Sequence, residues 1–284
     1  MKKKLLLSLS ICTCCGMIFS SNINATEHNR GEIQFNLEKR QKLDPAEKGE
    51  VINLLKNGNE DLKKLKERLA KIRNDDYDSL NRIARELFEN EEIELVHNPN
   101  LAKRWIEEWF KIITVFPQIK GKVRLIANEK PFPDGYPDCF AETGYIPGVE
   151  VYDITYYKNM EDQEKCKEAE RKGLFAKGPT TEYTVVHELG HAITFFISDI
   201  LGKNLDINIP YVNITEEKDS LEEEILKISR YPLEAASKTA AFIYDYILNM
   251  ETIAEAFADV NTSGESAAPL SKEIVFYIYE MIKK

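Results

Sequence analysis

The sequence predicts an α+β protein, mostly helical with a small sheet, and three observations carry that expectation. Apolar residues recur at helical spacing through residues 44–115 and again toward the C-terminus. Two short stretches, 122–127 and 149–157, instead alternate in polarity and are rich in β-branched and aromatic residues, as strands are. Between these classes lies a run at 181–201 that is apolar on several sides, as a helix buried through a domain centre would be. It contains His187-Glu188-Leu189-Gly190-His191.

Taken in order, the chain opens on Met1-Lys2-Lys3-Lys4 and an apolar stretch at 5–19 that is too short for a comfortable membrane span. Small and polar residues then lead to Ala25. Residues 1–25 read as a secretory signal peptide cleaved after Ala25, which predicts a secreted, extracellular product. Neither Ile11 before Cys12 nor the short apolar stretch before Cys14 suits a lipid-attachment box. Cleavage would remove three lysines and no acid, taking the formal net charge from -10 to -13. A nucleic-acid partner is therefore not expected, because phosphate binding relies on clustered basic residues. No other segment approaches membrane length, so no stable membrane insertion is expected either. The expected mature chain keeps Cys139 and Cys166; an exported compartment permits a disulfide, and two separate thiols are the alternative.

Residues 26–43 are polar and aperiodic, a flexible tail. Asp44-Pro45 offers a helix N-cap followed by proline at the first helical position, and Val51, Leu54 and Leu55 supply an apolar face. Asn57-Gly58-Asn59 breaks that helix. A second follows with Leu62, Leu65, Leu69 and Ile72, then others over 77–89 and 101–115; Trp109 is read as core rather than as the wall of a groove. These make a helical N-terminal region at 44–120. Residues 121–284 open on the 122–127 strand, and the prolines and glycines of 129–148 read as loop. The 149–157 strand and a charged helix at 161–172 precede the motif helix. Beyond it, helices are expected near 221–230, 233–246, 251–260 and 270–283.

One helical turn separates His187 from His191, so both imidazoles leave the same face and can grip one metal ion. Glu188 would sit beside the metal without binding it, placed to accept a proton from water that the metal activates. A catalytic zinc needs a third protein ligand. His28 lies in the tail and His97 in a loop-like stretch, which leaves Glu251, Glu255 and Asp259, acids spaced four apart on one face of a later helix. One would bind zinc, and the next, a turn later, would accept the outer N–H of a ligand histidine. An exposed acidic stripe is the plain alternative.

With those residues in hand, the chain resembles the gluzincin class of zinc metallopeptidases. The stretch Glu251-Thr252-Ile253-Ala254-Glu255-Ala256-Phe257-Ala258 is similar to a segment of the lethal factor catalytic domain and Pro-Pro endopeptidase family. The likeness covers residues 122 to the C-terminus, so 121–284 would be a zinc metallopeptidase domain with a zincin-type active-site helix and a glutamate-ligand helix. It implies one Zn2+ per chain, held by His187, His191 and Glu251, with Glu255 as the acid behind a ligand histidine. It also implies an active-site tyrosine seven residues before the ligand, where Tyr244 stands, with Tyr246 and Tyr231 as substitutes. This register is preferred over one in which Glu255 binds zinc and Asp259 supports it. Ile253 departs from the family's aromatic residue. The implied activity is endopeptidase hydrolysis of protein or peptide substrates, with Glu188 as general base, Tyr244 stabilising the oxyanion, and the 149–157 strand as the edge that pairs with substrate. The alternative is a secreted binding protein with a degenerate or structural metal site.

Overall fold

The computed structural model describes residues 9–12, 18–19, 42–95, 98–130, 140–145, 151–171, 181–201 and 248–283. Cys139 and Tyr244, together with Tyr231, Tyr246, His28 and His97, lie outside them, as does the side chain of Cys166.

Helix α1 (Pro45–Asn57) begins where Asp44 accepts from the backbone of Ala46 and Glu47 while Glu47 reaches back to the Asp44 N–H. That reciprocal capping satisfies donors a helix start would otherwise leave open. Gly58 at φ 70° ends α1, and Asn59 caps α2 (Glu60–Ala70). Helix α3 spans Tyr77–Phe88 and α4 spans Pro99–Val115, two residues earlier than expected because Asn98 caps it and Pro99 occupies its first turn. Trp109 is buried in an aromatic cluster with Trp105, Phe88 and Tyr156, at ring-centroid distances of 5.5 Å to Phe88 and 6.1 Å to Tyr156.

The sheet contains β1 (Leu9–Cys12), β2 (Ile18–Phe19), β3 (Val123–Asn128), β4 (Ala141–Tyr145) and β5 (Tyr152–Tyr157), in the order β2-β1-β4-β5-β3. Only β3 and β5 run parallel. Two corrections follow. Strand β4 lies inside the stretch read as loop, because Ala141-Glu142-Thr143-Gly144-Tyr145 has little strand propensity of its own and is held by its pairing with β5. Strand β5 is therefore interior, between β4 and β3, and is not the sheet edge; β1 runs antiparallel along the other side of β4, with Leu9 opposite Tyr145 and Cys12 opposite Glu142.

Helix α5 (Gln163–Arg171) follows the sheet, then α6 (Thr181–Leu201), α7 (Leu248–Ser263) and α8 (Pro269–Ile282). Helix α7 starts three residues before the expected 251 and ends three after the expected 260; the helices expected near 221–230 and 233–246 lie outside the described residues. One apolar cluster takes residues from α1, α3, α4, the sheet, α6, α7 and α8, so both the 44–120 and 121–284 segments contribute to a single core. Among the described residues, no helix is long and apolar enough to cross a membrane.

Candidate metal centre

Helix α6 carries both histidines at the middle of the molecule. Its run of Val185, Val186, Leu189, Ala192, Ile193 and Phe195 is buried, and so are His187, Glu188 and His191 at 0% exposure. Burial of that kind costs several kcal/mol per unpaired polar group, so each needs a partner. The structure brings three sets of partners together.

First, Nε2 of His187 and Nε2 of His191 lie 3.1 Å apart with their rings edge-on. Two nitrogens take about this separation when both lie roughly 2.0–2.1 Å from one ion in near-tetrahedral array. Second, Nδ1 of His187 is 3.0 Å from Oε1 of Glu255, and the Tyr183 hydroxyl donates to Oε2 of the same carboxylate. An acid on the Nδ1 side favours the tautomer whose Nε2 lone pair is available to a metal. Third, the Thr143 hydroxyl of β4 donates to Glu188 at both its side-chain Oε2 (2.5 Å) and its backbone carbonyl (3.2 Å).

The helix crossing that makes this possible is tight. A Cβ on Gly190 would lie 2.8 Å from Cα and 3.3 Å from the carbonyl oxygen of Ala254. Glycine at 190 thus lets α6 and α7 touch backbone to backbone, and the residue after Ala254 is Glu255.

Around Glu188 the ionisable groups are pushed toward their neutral forms. Burial raises the Tyr156 phenol well above its usual value, and the Glu188 charge adds to this. Tyr157 is raised by burial and by its hydrogen bond to Glu142. Glu142 is itself raised by burial, against the lowering effect of Tyr157's donation and with the Glu188 charge adding. Neighbouring strand residues alternate faces, so β4 sends Thr143 to Glu188 and Glu142 to Tyr157.

Of the expected site residues, His187, His191 and Glu255 are in contact, and Glu188, buried on the same helix, is held by Thr143. Glu251 lies one turn before Glu255 in α7, and its side chain is outside the described residues, as is all of Tyr244. Among the described residues, no group of three or more His, Cys, Asp or Glu side chains gathers around a metal position; the two convergent Nε2 atoms and the acid behind His187 fit a zinc site as far as they go. Asp259 has a different task, because its Oδ2 accepts from the Ala268 N–H at 2.8 Å where α8 starts. Asp259→Ala is expected to lower stability by about 1 kcal/mol, the usual net worth of one hydrogen bond, and to leave zinc affinity unchanged. Thermal melts and chelator competition measure the two effects.

Sequence reasoning missed Thr143 and Tyr183. Thr143 lies 45 residues from Glu188, in the strand that was read as loop. Tyr183 carried a weak local signal: a phenol four residues before His187, on the same face of the helix. Neither family models, curated proteins nor solved structures gave a match to this chain.

Proposed function

We propose that this chain is a secreted zinc-dependent endopeptidase of gluzincin type, in which α6 supplies two ligands and the base and α7 supplies the third ligand. The observation that carries the reading is the convergence of the His187 and His191 Nε2 atoms, 3.1 Å apart, with Glu255 behind His187. His187, His191 and Glu251 would hold a zinc ion, whose Lewis acidity would lower the pKa of water and polarise a carbonyl.

The chain's own residues do the rest. Glu188 accepts the proton of the attacking water and returns it to the departing amine. Thr143 limits the orientations open to that carboxylate by donating to it from the sheet. Glu255 holds the His187 ring. Tyr244 donates to the developing oxyanion. The buried, largely apolar surroundings of α6 strengthen each of these electrostatic contacts relative to water.

Metal analysis of the purified chain and of Glu251→Ala tests the reading. One zinc per wild-type chain is expected, with affinity in Glu251→Ala reduced by more than the about 10–100-fold that an outer hydrogen-bonding partner is worth. Stoichiometric zinc in Glu251→Ala would remove Glu251 from the ligand set. Wild-type protein that holds zinc yet cleaves nothing in a broad peptide mixture would favour the non-catalytic binding protein instead.

A further inference from the structure

Tyr183 and His187 stand one turn apart on α6, and Glu255 reaches both from α7. All three side chains are buried, with Tyr183 1% exposed and the other two 0%. A carboxylate in that setting has two oxygens to satisfy. Its Oε1 is 3.0 Å from the His187 ring and its Oε2 accepts a hydrogen bond from the Tyr183 hydroxyl, so the phenol limits rotation of the carboxylate about its terminal torsion.

We infer that Tyr183 is a positioning residue for the metal centre: its hydroxyl fixes Glu255 in the orientation that holds His187 with Nε2 turned toward the metal. This rests on the zinc reading above. Tyr183 acts through Glu255, to which its hydroxyl donates. Without the hydroxyl the carboxylate would be free to turn, and His187 would lose a fixed partner on Nδ1. The ring would then sample the tautomer and rotations that take Nε2 away from His191.

The test is zinc affinity of the full chain by competition with a chromophoric chelator, together with the visible spectrum of the cobalt(II)-substituted protein. Tyr183→Phe removes one oxygen and keeps the ring's packing. It is expected to weaken zinc by about 10–100-fold, the range for outer partners of metal ligands, and to alter the cobalt spectrum. Tyr152→Phe is the control. It deletes another buried phenol that bonds a carboxylate on the same helix, Asp199 at 2.9 Å, and should leave affinity and spectrum unchanged.

Because Tyr183→Phe leaves a buried carboxylate oxygen short of its donor, a second background carries the test if that variant folds poorly. Glu255→Gln removes the charge, and in that background loss of the Tyr183 hydroxyl should weaken zinc no further. Wild-type affinity and spectrum in Tyr183→Phe would overturn the inference and leave the zinc reading standing. So would equal losses in Tyr183→Phe and Tyr152→Phe, or independent losses in the double variant. A wild-type chain that binds no zinc would overturn both.

Discussion

Glu188→Gln is expected to retain zinc and to lose peptide hydrolysis by about 10²–10⁴-fold in kcat/KM, the range that a positioned general acid–base contributes. Glutamine has the same shape as glutamate, and its amide oxygen can still accept from Thr143, so the packing at the centre of α6 survives. What disappears is the capacity to take a proton. Zinc content and the rate on any peptide that the wild type cleaves are measured on the same preparation. A rate within a few-fold of wild type, with zinc bound, would mean that Glu188 is a buried structural acid and that the proton goes elsewhere.

The second large effect is expected at Gly190. Alanine there gains about 1 kcal/mol of helix propensity, yet its methyl would meet the Ala254 Cα at 2.8 Å and the Phe257 ring edge at 3.3 Å. Backbone cannot rotate away as the tip of a side chain can, so α6 and α7 must separate. Overpacking of this kind costs about 1–3 kcal/mol, and a backbone collision belongs in the upper half of that range, which leaves a net loss of about 1–2 kcal/mol. Gly190→Ala should therefore melt several degrees lower, by about 2–4 °C per kcal/mol for a domain of this size. Zinc affinity should fall as well, because Glu255 and His187 face each other across that interface. A higher melting temperature would show that the crossing relaxes at no penalty and that helix propensity governs the site.

These two positions also mark how far the sequence alone could reach. The bounds of α6, residues 181–201, were legible because Pro179 precedes it and its apolar run is long. His187, Glu188 and His191 followed from spacing within that helix. The four-residue repeat of Glu251, Glu255 and Asp259 pointed to α7, but periodicity could not divide their tasks. Glu255 lies against His187 and Asp259 accepts from the Ala268 N–H just before α8, and that difference depends on where two other helices happen to be. Strand β4 was illegible for a physical reason: its five residues include a glycine and only one β-branched side chain, and pairing imposes its extended state. With β4 hidden, the contact between Thr143 and Glu188 was hidden too, and β5 looked like an edge. Tyr183 escaped because its partner is 72 residues away.

The attachments of α1 bear on the order in which this chain can complete its fold. The Leu43 N–H donates to Glu280 at 2.7 Å, the Asn261 amide donates to the Leu55 carbonyl at 2.8 Å, and Lys56 reaches the Thr262 carbonyl. These bonds join the first described helix to the last two across more than 200 residues of sequence. A chain emerging from a ribosome or an export channel delivers α1 first and its partners last. Until α7 and α8 arrive, the apolar face of α1 formed by Val51, Ile52 and Leu55 lacks its C-terminal neighbours. Loop closure over that span makes docking a late and slow event. The helix that carries Glu251 and Glu255 is one of those later arrivals, so the centre comes together only after it has docked beside α6.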